Sequence, residues 1–243
     1  MSDHAFRPLG AATPVVEATA GAAAAVVMGA ASALRRKRVF HPDGVAFASS
    51  VQVTGAHHGA PLLDEAGKHD AVVRLSRGVG LPRAFPDFLG LALRITDAHG
   101  PGQHQDLLLV SAGDRPVLRH ALVPVRGFEH RRFSSLLPYE VGDRRVLFGA
   151  RVLGEGGPVP LQLEDLRDRA ATTGLRFALE LAEASGEWEP VGIVDVASPL
   201  TDADGDALRY DPAHTGGGIE PVGVVQTVRR LAYRASQTAR PTT

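Results

Sequence analysis

From residue 45 onward the chain is a series of short apolar runs, many alternating with period two and each closed by glycine, proline, aspartate or histidine. That rhythm restricts its fold more than any other feature. Residues 45–54 (VAFASSVQVT) place apolar side chains at Val45, Phe47, Val51 and Val53. Residues 71–76, 89–96 and 106–111 follow at short intervals, and 146–153, 175–184 and 190–196 continue the series. Alternation of this kind gives a strand with one buried face. Short strands joined by turn residues signal an antiparallel sheet or barrel. A short helix is expected at 163–171, and further short helices in the less regular stretch 116–139. No linker-like break and no long internal repeat interrupts the pattern, so the strand-rich part is read as one domain.

The two ends carry a different period. Residues 18–34 are uncharged and built mostly of alanine and glycine. They fall short of the roughly 20 strongly apolar residues that a membrane span needs. Alanine is the best helix former, so residues 1–37 are expected to be an Ala-rich helical segment. The run Arg35, Arg36, Lys37 and Arg38 either caps that helix with cations at its C-terminal end or touches anionic lipid. The first is preferred for three of the four, Arg38 excepted, so membrane contact is not expected. The opening residues lack the charged-then-apolar design of a leader, and a cytoplasmic protein is expected. At the other end, 221–240 reads as a helix, from its first-turn proline and apolar spacing at Val224, Val225, Val228, Leu231 and Ala232. Arg229 and Tyr233 are four apart and share one face of it. Arg240 lies two turns further along the same side.

Composition narrows the chemistry. A chain of 243 residues with no cysteine has no disulfide, thiol nucleophile, iron–sulfur cluster or thiolate-bound haem. A net charge of −1 argues against nucleic acid as a partner. Several motif fragments fail. Gly216–Gly218 lacks the lysine of a phosphate loop. Asp202, Asp204 and Asp206 have their glycine misplaced for a calcium loop and read as a turn. Ser111 lacks the first glycine of a nucleophile elbow. His57, His58, His69, His99 and His104 have no carboxylate at ligand spacing and read as solvated loop residues.

One ordered set of segments remains. The run Arg38-Val39-Phe40-His41-Pro42-Asp43-Gly44-Val45-Ala46-Phe47 resembles the distal-histidine segment of haem catalases. Val73-Arg74-Leu75-Ser76 is similar to that family's Val-Arg-Phe-Ser strand. Residues 90–96 (GLALRIT), with Asp106 and Leu107 behind them, resemble its next strand and Asp-Leu pair. Arg229-Arg230-Leu231-Ala232-Tyr233 resembles its proximal helix. The four occur in the family's order, and the likeness extends over roughly residues 35–240, with 116–212 contributing little. The short chain resembles in particular the small catalase-related peroxidases. The resemblance implies an α+β chain: a catalase-like antiparallel β-barrel over residues 38–243, flanking helices and a C-terminal proximal helix. It implies haem b as cofactor, with Tyr233 binding iron and Arg229 as its partner. It makes His41 the acid–base and Ser76 the residue that orients it. Arg38, Arg74 and Arg240 become the propionate clamps.

The residue chemistry agrees. A phenol binds metal as phenolate, and a guanidinium one turn away lowers its pKa from the usual value near 10. Arginine suits haem propionates through charge-assisted contacts, often two at once. A histidine with an ordinary pKa near 6.5 can take a proton from one peroxide oxygen and return it to the other. Phe47 is either barrel core or a wall of the haem pocket. The chain departs from the family in having no asparagine at all. Ser111 is the only polar residue near the place of the catalase distal asparagine. A haem-dependent peroxidase acting on organic hydroperoxides, lipid hydroperoxides among them, is therefore expected, with weak or no disproportionation of hydrogen peroxide. The alternatives are a haem or small-molecule binding protein with little turnover, and a hydroperoxide isomerase of the allene oxide synthase kind. The expected partner is a small-molecule hydroperoxide, with assembly into a homo-oligomer left open.

Overall fold

A computed structural model describes residues 43–78, 85–129, 132–154, 159 and 162–223. Its framework follows from the period-two pattern. Strands β1 (Asp43–Val53), β2 (Gly67–Arg77), β3 (Leu89–Ile95) and β4 (Gln105–Ala112) pair in sequence order, all antiparallel. Strand β5 (Arg132–Ser134) joins β4 to β7 (Arg144–Leu153). Strands β8 (Leu175–Glu183) and β9 (Glu189–Pro199) return the sheet to β1. The β7–β8 pairing closes these eight strands into a barrel, while β6 (Tyr139–Val141) and β10 (Ile219–Pro221) extend the sheet beyond β7. Closure leaves the paired barrel strands without a free edge.

The alternating apolar residues fill the barrel. Phe47, Val73, Leu75, Leu91, Leu93, Phe133, Phe148 and Phe177 are all at most 1% exposed. Phe133 stacks on Phe128 with ring centroids 5.9 Å apart and meets Phe177 edge-on at 6.2 Å. Such contacts add to simple area burial. On one flank the Trp188 ring lies over Gly149, where an added Cβ would come within 2.4 Å of it. Arg119 and Arg132 cover that ring, each 4.9 Å from its centroid.

The seven longer strands stand where alternation places them, and helix α2 (Leu163–Thr172) matches the expected one. Four expectations need correction or extension. Among the described residues the stretch 116–139 holds one short 3-10 helix, Leu118–His120, and, beyond expectation, strand β5 and the start of β6. Pro221 pairs with Tyr139 in β10, so no helix begins there. Asp202–Ala207 is a short helix (α3, after α1 at Pro61–Asp64 and α2) rather than a turn, and Thr201 Oγ1 caps it by accepting from Asp204 N at 3.1 Å. His69 lies within β2, not in a loop. Three-residue strands carry too little period to be read, and a capped turn of helix can form from poor helix formers. The Ala-rich segment 1–37 and the expected helix beyond residue 223 lie outside the described residues. No described helix is long and apolar enough to cross a membrane.

The irregular segment 208–218 is fastened to the outside of the barrel in large part through the carboxylate of Asp106. Asp106 is fully buried and takes two hydrogen bonds from Arg94, at 2.7 Å and 2.6 Å. Its Oδ2 also accepts from Asp211 N at 2.8 Å and lies 3.0 Å from His214 Nδ1. Arg94 in turn donates to the Arg209 carbonyl at 2.5 Å. Residues 209, 211 and 214 are thus held to a single ion pair between β3 and β4.

Two substitutions test these assignments. Phe47→Ala opens a cavity in a closed core and should cost about 3–5 kcal/mol of unfolding free energy, read from a denaturant titration. Asp106→Asn leaves the half-buried Arg94 without its counter-charge and should cost about 2 kcal/mol, below the roughly 3–5 kcal/mol of a fully buried pair. In the second variant, hydrogen exchange should accelerate first at residues 209–214.

Candidate functional site

Strand register decides which side chains share the outer face of β1–β4. Gly44, Ser76, Gly90 and Val110 form one row across the four strands. Ala46, Arg74, Ala92 and Leu108 form the next, and Ala48, Val72, Arg94 and Asp106 the third. Rows on one face are separated by two residues, about 7 Å, and neighbouring strands by about 4.8 Å. The first two rows carry glycine or alanine at four of eight positions, so the sheet presents a shallow, low wall with one cation in it.

That cation is Arg74. Its guanidinium lies over Gly44, where an added Cβ would come within 2.6 Å of Cζ. Glycine at 44 is what lets the charged plane lie flat on the strand. Ser76 stands beside it, 4% exposed, with its hydroxyl donating to the Gly90 carbonyl at 3.4 Å. Arg74 and Ser76 therefore share a face, as two residues of equal parity must. Phe47 takes the opposite parity. It is 0% exposed inside the barrel, so of its two expected positions it occupies the core rather than a wall on the Arg74 side.

Ser111 does not stand in for an asparagine on this face. Its hydroxyl donates to the Val123 carbonyl at 2.7 Å and accepts from Leu89 N at 3.1 Å, and it is fully buried. The residues of β4 that do face Arg74 and Ser76 are Leu108 and Val110, both apolar. Among the described residues this part of the site has no side-chain amide.

Tyr210 completes the patch. It is 9% exposed and sits between the two anchored positions Arg209 and Asp211. Arg94 lies 5.3 Å from its ring centroid. Its hydroxyl is buried with no hydrogen-bond partner among the described residues. Burial pushes the phenol above its usual value, and the charge of Asp106 acts in the same direction; Arg94 and Arg74 oppose them. No motif marks Tyr210. Its scarcity among three tyrosines was the only sequence signal.

His41, Arg38, Arg229, Tyr233 and Arg240 lie outside the described residues. Within them, His58 is nearly buried, His99 Nε2 lies 3.0 Å from Gln105 Oε1, and His104 Nδ1 accepts from Asp97 N at 3.0 Å. An open cleft of about 480 Å³ borders the first two rows at Gly44 and Ala46. It is walled by Arg77, Glu164, Arg167 and Asp202, with Arg167 and Asp202 ion-paired, and it suits polar solutes better than an apolar one.

A porphyrin carrying two carboxylates needs a flat wall and fixed donors at one rim. The Gly44–Ala46–Gly90–Ala92 wall, the Arg74 guanidinium and the unpartnered Tyr210 hydroxyl fit those needs. Arg74 is the described residue that would hold such a group from the list expected to clamp it.

No family model matches the chain, and no curated protein matches it. Solved structures do. A bacterial catalase superposes with a TM-score of 0.62 at 13% identity, covering 99% of this chain and 63% of that one. A fungal catalase superposes with a TM-score of 0.63 at 11% identity, covering 98% of this chain and 66% of that one. The chain thus spans just under two thirds of the length of these catalases, and at such low identity the likeness is one of fold. The protein has a catalase-like antiparallel β-barrel fold.

Proposed function

We propose that this chain binds haem b against the outer face of β1–β4 and uses it as an oxidoreductase toward organic hydroperoxides. The observation that carries the reading is the shared face of Gly44, Arg74 and Ser76. Three segments of the ordered motif set supply that face and its neighbours, and register sets them side by side, which supports a flat anionic ligand there. The catalase-like fold supports it.

Bound haem would supply redox-active iron at which a peroxide bond is cleaved. The chain's own residues do the rest. Tyr233 is the proposed iron ligand, and Arg229, four residues before it in the sequence, is the partner that would keep it anionic. Arg74, with Arg38 and Arg240, holds the carboxylates. His41, three residues before Gly44, would move a proton between the two oxygens of a hydroperoxide, and Ser76 would orient its ring. Reduction of a hydroperoxide to an alcohol and water consumes two electrons and two protons, here assigned to a small organic reductant. Leu108 and Val110 on the same face favour an alkyl group over water near the reacting end. They give no hydrogen bond to a small peroxide, which supports weak hydrogen peroxide disproportionation.

Titrating the purified chain with haem should give a Soret band, and its absence would overturn the proposal. Arg74→Ala should weaken haem binding by about tenfold, the loss of one charge-assisted contact. His41→Ala should leave haem binding intact and lower turnover of an aryl-alkyl hydroperoxide by about 10²–10⁴-fold. Unchanged turnover in that variant would favour a haem-binding protein. Product formed without any reductant would identify an isomerase instead.

A further inference from the structure

We infer that the Tyr210 hydroxyl is a carboxylate-binding donor that works beside Arg74 on the outer face of the barrel. The inference rests on the haem reading only for the owner of the carboxylate, a porphyrin propionate.

Four observations converge on it. The hydroxyl is buried in a residue 9% exposed and meets no acceptor among the described residues. A buried O–H left unpaired is costly, and phenylalanine would pack the same ring without that cost. The ring is also fixed. The Arg209 carbonyl and the Asp211 amide, on either side of it, are bound to Arg94 and Asp106. Tyr210 therefore has little freedom to turn its hydroxyl to water.

The third observation concerns protonation. Burial and the neighbouring Asp106 charge keep the phenol in its neutral form at physiological pH, so it offers a proton rather than a second anion. The fourth concerns charge. Arg94 lies 5.3 Å from the Tyr210 ring centroid, and Arg74, paired with Ala92, stands one row along from Arg94 on the same outer face, which places guanidinium and phenol on one patch. The charge of Asp106 reaches this point and is opposed by two guanidinium groups, Arg94 through its two bonds and Arg74 through space. A neutral O–H donor beside a guanidinium is complementary to a carboxylate, whose oxygens accept from both. The same chemistry would take the carboxylate of a fatty acid hydroperoxide, and the test separates the two owners.

Wild type and Tyr210→Phe are titrated with haemin and with haemin dimethyl ester, which lacks free carboxylates, following the Soret band and Trp188 fluorescence. The expected result is haemin binding about tenfold weaker in the variant, with ester binding equal in both proteins. Equal haemin affinity, or an equal loss for haemin and ester, would overturn the inference. Ligand-free Tyr210→Phe should melt no lower than wild type, because the hydroxyl has no bond to lose among the described residues; a clear fall would mean a structural role and would also overturn it.

If wild type binds no haemin, the haem reading falls by itself, and calorimetry with oleate then decides the donor. Oleate bound several-fold tighter by wild type than by Tyr210→Phe would keep the carboxylate site with a fatty acid as owner. Equal binding, or binding by neither protein, would overturn the site as well.

Discussion

The buried carboxylate of Asp106 is the point on which the outer face of this barrel depends. Its desolvation is offset because Arg94 meets it with two hydrogen bonds, the backbone of residue 211 adds a third, and His214 Nδ1 lies 3.0 Å from it. Those bonds do more than satisfy a charge. They fix a segment with no regular structure of its own, residues 208–218, against β3 and β4. The only described tyrosine near Arg74 is thereby held in place, and a negative charge next to a proposed anion site is neutralised. Without that pair, the face would have neither its lid nor its electrostatic balance.

The barrel supplies the complementary constraint. Because side chains alternate, a strand that gives Phe47 and Val45 to the core must give Ala46 and Gly44 to the outside. The same parity sends Arg74 and Ser76 outward from β2 between Val73 and Leu75. A one-residue slip would exchange the two sets, and the fully buried core forbids it. The site face is therefore as firmly specified as the core, although it carries almost none of the apolar residues. Trp188 over Gly149, on the far flank, is an analogous case of a glycine that admits a close-packed plane.

The proposed chemistry follows from what this face presents and what it lacks. Ser111 is engaged by two backbone groups and belongs to the framework, so the face opposite Arg74 is finished by Leu108 and Val110. A wall of small and aliphatic residues, one guanidinium and one phenol is poor at holding a small polar peroxide. It is well suited to a flat or chain-like apolar molecule that ends in a carboxylate.

Much of this was legible in the residue order. Period-two alternation set the seven longer strands, since each needed one apolar face, and the segment around Val73-Arg74-Leu75-Ser76 announced a cation and a hydroxyl on a common side. The short strands β5, β6 and β10 were not legible, because three residues carry no period and are fixed by partners distant in sequence. Nor was the state of Ser111, whose two backbone partners come from β3 and from the loop after β4. Tyr210 shows the division most clearly. The sequence by itself determined that a tyrosine stands between Arg209 and Asp211, and tertiary structure alone decided that its hydroxyl would be buried and unpartnered. The physical reason is that burial and hydrogen-bond satisfaction depend on a long-range ion pair, Arg94 with Asp106, across a strand pairing that no local pattern of residues 208–218 encodes.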